Sequence, residues 1–251
     1  MTVDLRIENS PVGPVVRPAQ SSETEIFVLY IHGDWLAPSS SSKIPATASR
    51  LARDSGATVV CCGYRPSFPG SLEDVRAGVE YCEGRGRTVV AGERLGAGLA
   101  AALLLHLRDE GATPPCCGVL SSALFDLTLE APSLSLNAAA HPAFDIDDLA
   151  RRVRRYAAGA APTNPLLSPL YGNLHGLPPI QLLAAGNDPL LDDSLAFAAR
   201  AARSGVTVDL RVRPVGPSPD GEAIAAMTGF IGAHTGVGPS STANTSRMIS
   251  G

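Results

Sequence analysis

The chain has no apolar run long enough to cross a bilayer. Its longest, residues 99–105, falls far short of the roughly 20 residues that a spanning helix needs, and reads as a buried helix. The opening MTVDLRIENS has no basic stretch followed by an apolar run, so no secretory signal is expected and a cytoplasmic location is. Positive charge is not in excess. A net charge of −4 and a pI of about 5.7 argue against nucleic acid or an anionic membrane as the main partner. The cysteines come without a CxxC pair and without a histidine at zinc-ligand spacing. No GxGxxG fingerprint, Walker A loop or metal signature occurs, so no cofactor and no metal are expected. There is no internal repeat.

What is present fits a globular α/β protein. The 251 residues are enough for one large domain with a generous core, and 45% are hydrophobic against 18% charged. The five cysteines are Cys61, Cys62, Cys82, Cys116 and Cys117, and four of them form adjacent pairs in the strand-like runs TVVCCGY and PPCCGVL. Neighbouring strand residues point to opposite faces, so neither pair suits one metal or an unstrained disulfide. Buried free thiols are the expectation. An Ala, Gly, Pro and Arg-rich composition fits a bacterial protein.

Strand and helix signals alternate along the chain. Apolar runs suited to buried strands lie at 26–31, 58–62, 88–91, 116–120, 180–184 and 206–212. Helix-like stretches lie at 44–54, 72–83, 95–108, 189–203 and 222–231. This order predicts a mostly parallel sheet with helices on both faces. Pro11, Pro14 and Pro18 exclude a helix from the first 24 residues, which read as a hairpin or edge strands. The division expected is one domain over residues 1–235, with an excursion at 130–165 over the carboxyl edge of the sheet, and a disordered Ser/Thr/Gly/Asn-rich tail over 236–251.

The loops at the carboxyl ends of such strands carry the chemistry, and here they form a collinear set of motifs. His32-Gly33-Asp34-Trp35 follows the first long strand. Gly63-Tyr64-Arg65-Pro66, Phe68-Pro69 and Leu72-Glu73-Asp74 follow the second, and Ala91-Gly92-Glu93-Arg94-Leu95-Gly96 the third. Leu167-Ser168-Pro169-Leu170 and Gly176-Leu177-Pro178-Pro179 precede Gly186-Asn187-Asp188-Pro189-Leu190, with Asp192-Asp193 after it. Over residues 25–215 the series resembles the hormone-sensitive-lipase-like branch of the α/β-hydrolases, with its HGGGW, DYRLAPE, AGDSAGG and GxxDPLxDD stretches. The resemblance implies an α/β-hydrolase fold; members of that family carry N-terminal cap helices, for which this chain is too short at that end, so a reduced cap is expected.

Against that family the catalytic residues are incomplete. The elbow that resembles the nucleophile turn keeps Gly92 and Gly96 but holds Arg94 where the family has serine. A guanidinium stays protonated and cannot act as a nucleophile. Asp188 matches the acid. No histidine follows the next strand, where Asp220 is the expected occupant, and His106, His141, His175 and His234 are read as structural or exposed. Asp34 stands in place of an oxyanion-loop glycine and would repel an oxyanion, or it is a solvated loop residue or a partner of Arg94.

Arg94, Asp188, Asp34 and Asp220 are therefore the candidate catalytic cluster. Arg94 is expected to pair with Asp188, Asp220 or Asp34, and His32, Gly33, Trp35, Tyr64, Glu93 and Leu95 to line the ligand side. The leading expectation is a non-hydrolytic enzyme of cyclase, isomerase or lyase type, acting on a small organic molecule in a bacterial biosynthetic pathway. Two alternatives stand beside it: a catalytically silent pseudo-hydrolase that binds or scaffolds, and a residual esterase or acyltransferase. The partner expected is a small molecule, with a homodimer left open.

Overall fold

The computed structural model describes residues 4–19, 26–33, 44–141, 144–214 and 220–236. The first prolines sit in a hairpin: β1 (Leu5–Ser10) pairs antiparallel with β2 (Gly13–Pro18), and Pro11 lies in the turn. Five apolar strands follow as β3 (Ile26–Ile31), β4 (Thr58–Cys62), β5 (Arg87–Glu93), β6 (Gly118–Ser121) and β7 (Ile180–Ala185), with β8 (Val208–Arg213) as the last. Spatially they run β1-β2-β4-β3-β5-β6-β7-β8, and every pair from β4 to β8 is parallel. The mostly parallel α/β architecture expected from the alternation is the one found.

Continuous Val, Ile and Leu runs suit strands covered on both faces, and the helices supply the covers. One face carries α2 (Gly70–Cys82), α3 (Leu95–Asp109) and α6 (Leu191–Arg203); the other carries α1 (Ala46–Ser55) and α7 (Asp220–Thr235). Strand alternation sorts the core between them. Leu29, Val60, Cys62 and Val90 join the α2/α3/α6 layer, whereas Val28, Val59, Cys61 and Val89 join the α1/α7 layer. All five thiols are free, and burial pushes those of Cys61, Cys62, Cys82 and Cys117 up to about 12.

Two expected elements shift at their ends. β6 starts at Gly118, because Cys116 makes a single link, N–H to Thr88 O at 2.8 Å, before the ladder begins. The last helix extends through Thr235, which places His234 inside its final turn with Nδ1 donating to Phe230 O at 2.9 Å.

Between β6 and β7 the chain makes its excursion through α4 (Ser133–Leu136), α5 (Ile146–Ala157) and a 3-10 turn at Pro169–Tyr171. Asp145 caps α5 by accepting the Asp148 N–H. Acidic residues then fill the first turn and Arg154 and Arg155 the last, matching the helix dipole. The apolar side of this excursion, with Leu134, Leu149, Val153 and Tyr156, packs on Leu95 at the start of α3 and on Leu124 just after β6. At α5 it is tied to the body by Tyr156: its hydroxyl shares a hydrogen bond of 2.8 Å with that of Ser71, and its carbonyl accepts from Phe68 N at 2.8 Å.

Ser71 is fully buried, so removing its partner strands a hydroxyl. Tyr156→Phe is expected to lower stability by about 1–2 kcal/mol, read as a lower urea midpoint at unchanged slope. An unchanged midpoint would refute the latch.

Candidate active site

The turn between β5 and α3 is the sharpest in the molecule's functional edge. Arg94 occupies it alone, with φ 52° and ψ −121°, a left-handed conformation that costs on the order of 1–3 kcal/mol for a residue with a side chain. The surrounding backbone holds it there. Arg94 N donates to Ser121 O at 3.0 Å, and Arg94 O accepts from Leu124 N at 3.1 Å and from Ala97 N and Gly98 N at 3.2 Å.

Three glycines make this turn possible. A β-carbon on Gly92 would stand 2.5 Å from Gly96 O, and one on Gly96 would stand 2.1 Å from Ile31 O. A β-carbon on Gly33 would meet Gly96 N at 2.2 Å and Leu95 N at 3.0 Å. The loop after β3 therefore lies directly on the first turn of α3, where the helix amides point outward without intrahelical acceptors.

Side chains close around this contact. His32 pairs through Nδ1 with the Glu93 carboxylate, both partly open to solvent. Tyr64 donates its hydroxyl to His32 O at 2.8 Å, fixing the loop from the other side, and burial pushes its phenol well above the ordinary tyrosine value. The structure thus brings His32, Gly33, Tyr64, Glu93, Arg94 and Leu95 together. The His32–Glu93 pair itself went unread in the sequence. The register supplies it: β3 and β5 place Ile31 opposite Gly92 and so bring their next residues side by side.

Other expected residues fall elsewhere. Asp188 is buried at the end of β7, where Oδ1 accepts Leu190 N at 2.9 Å and its backbone carbonyl accepts from Asn137 Nδ2 at 3.0 Å. Among the described residues no ion pair joins Asp188 to Arg94, so that option for the arginine's partner is corrected: the carboxylate is spent on its own turn. Asp34 and Trp35 lie outside the described residues, as does the side chain of Asp220, which begins α7.

Two further carboxylates matter structurally. Asp193 Oδ2 accepts the N–H groups of Phe125 at 2.7 Å and Asp126 at 2.9 Å, and Asp192 Oδ2 accepts Ser133 N at 2.8 Å. Burial, aided by the charges of Asp126 and Asp192, pushes the Asp193 carboxyl up to about 7 against those two amide bonds. The acid loop therefore clamps the excursion to α6. Among the described residues no three His, Cys, Asp or Glu side chains converge as metal ligands, and no helix is long and apolar enough to cross a membrane.

Comparison with known proteins agrees with the fold. A family described as alpha/beta hydrolase fold matches residues 28–216. An acetyl-hydrolase of Streptomyces hygroscopicus is 35% identical over 79% of this chain and 69% of its own length. The esterase LipI of Mycobacterium tuberculosis is 31% identical over 98% of this chain and 80% of its own. A solved esterase of the bacterial hormone-sensitive lipase family superimposes with a TM-score of 0.86 at 30% identity, covering 95% of this chain and 87% of that one. These hydrolytic relatives overturn two expectations, the non-hydrolytic cyclase, isomerase or lyase and the silent pseudoenzyme, both of which took the loss of the serine and the histidine as loss of the reaction class.

Two outcomes test the site's construction. Gly96→Ala is expected to abolish folding or the native elbow, seen as loss of a cooperative urea transition, because its β-carbon would overlap Ile31 O. For Asp193 the folded carboxyl near 7 lies above the ordinary value of 3.8, so the folded state holds that proton more tightly. Its stabilising contribution is complete below about pH 4 and is lost as pH rises toward 7. Asp193→Asn keeps an acceptor for both amides and is expected to flatten the fall in Tm between pH 4 and 7. A wild-type slope in the variant would show that another group titrates.

Proposed function

Since the chain belongs to the alpha/beta hydrolase fold family, we propose that it hydrolyses small carboxylic esters, using an activated water in place of a serine nucleophile. Its hydrolytic relatives support the reaction class. The observation that carries the water-based variant is the His32–Glu93 pair beside the elbow. Arg94 cannot attack a carbonyl, whereas an imidazole oriented by a carboxylate is a competent general base.

In this reading Glu93 holds Nδ1 of His32 and favours the tautomer whose Nε2 can accept a proton. Water attacks the ester carbonyl carbon as His32 takes its proton, and the carbonyl electrons move onto oxygen. The backbone N–H groups of Leu95 and Gly33 receive that oxyanion, and the Arg94 guanidinium adds positive charge next to the helix start. Collapse expels the alkoxide, which regains the proton from His32, leaving acid and alcohol. Apolar residues of the excursion packed on Leu95 offer an acyl-side wall. We also propose that residues 1–235 act as one domain, with 130–165 as the insert over the site.

The wild-type chain is expected to hydrolyse p-nitrophenyl acetate without a stoichiometric burst and without loss on treatment with a serine-directed sulfonyl fluoride. His32→Asn and Glu93→Gln are each expected to lower kcat/KM by about 10²-fold or more. A burst, or full activity in His32→Asn, would overturn the water mechanism. Absence of hydrolysis above buffer would overturn the function.

A further inference from the structure

A cavity of about 410 Å³ lies on the opposite side of the sheet from α3, between the edge strand β8 and α7. Its walls include Arg211 and Arg213 from β8, Leu183 from β7, and Glu222, Ala223 and Ala226 from α7. The strand residues share one face by alternation, and Leu183 stands directly across the β7–β8 ladder from Arg211. The volume falls in the range of small-molecule sites.

The two arginines differ. Arg211 is neutralised on its own strand, with Nε donating to Asp209 Oδ2 at 3.1 Å and Nη2 at 3.1 Å from the same carboxylate oxygen. Arg213 Nε is buried and has no hydrogen-bond acceptor among the described residues. Among the described residues no ion pair joins Arg213 to Glu222, which sits exposed on the rim. Arg213 lines the cavity and forms no ion pair among the described residues, so its guanidinium offers an anion a charge that no carboxylate already meets. A carboxylate is the group that matches a guanidinium edge, and Leu183, Ala223 and Ala226 give an apolar surface for a short tail.

We infer that this cavity is a second ligand site, which binds a short-chain carboxylate with its head on Arg213 and its tail along α7. Arg213 O accepts Gly186 N at 2.9 Å, which ties the end of β8 to the turn that Asp188 shapes. A short-chain acid is also what the proposed ester hydrolysis releases, so on that reading the cavity senses product; its occupancy by a carboxylate does not depend on it.

The test titrates the isotope-labelled full chain with sodium butyrate, following the Arg213 Nε–Hε resonance by NMR without any ester present. Saturable movement of that resonance is expected, with acetate binding about tenfold more weakly for want of two methylenes. Arg213→Gln is expected to weaken butyrate at least tenfold. Ala223→Leu, which fills the cavity and leaves the arginines alone, is expected to do the same, whereas Arg94→Gln is not. A stationary Arg213 resonance would overturn the site. So would butyrate affinity unchanged in Ala223→Leu but lost in Arg94→Gln, because binding would then belong to the elbow. Equal affinity for acetate would overturn the apolar-tailed ligand.

Discussion

Gly33, Gly92 and Gly96 bring three stretches of backbone closer than any side chain allows. The approach is what lets the end of β3, the end of β5 and the first turn of α3 meet in one place. From that contact follow the position of Arg94, the reach of Glu93 to His32, and the seat of Tyr64 on the His32 carbonyl. Each of those side chains is replaceable in principle. The glycines are not, because the atoms their β-carbons would strike are backbone. A functional edge can thus outlive the residue that gave it its first chemistry, since the scaffold is specified by what is missing at three positions.

The fold was legible because period and punctuation agree. Continuous apolar runs at 26–31, 58–62 and 180–184 could only be strands covered on both faces, and the glycine-flanked turn after Glu93 marked the edge that matters. What the sequence hid was pairing at a distance. Asp188 read as a partner in waiting for Arg94, yet its Oδ1 caps Leu190 N, a contact two residues away that competes with any longer reach. His32 and Glu93 read as separate motif residues, and only the β3–β5 register puts one beside the other. The inference from a lost serine and a lost histidine to a lost reaction class failed for a different reason. It weighed side chains alone, whereas the relatives that match this chain are hydrolytic and the backbone of the elbow is in place.

The acidic motif after β7 shows how a functional-looking run divides its labour. Asp188 shapes its own turn, Asp192 holds the start of α4, and Asp193 holds the segment after β6. Three carboxylates within six residues act on three different pieces of backbone. Together with the Tyr156–Ser71 bond on the far side, they fasten the excursion at both ends. The apolar layer over Leu95 is therefore held by polar bonds at its margins.

Cys61 and Cys62 are consecutive, yet one faces α1 and α7 while the other faces α2 and α3. Both are free, buried and poorly ionised, so neither reacts with a thiol reagent until its own layer parts from the sheet. Two neighbouring atoms of sulfur thus act as separate clocks for the two halves of the molecule. Their relative labelling rates report which slab of helices lifts first.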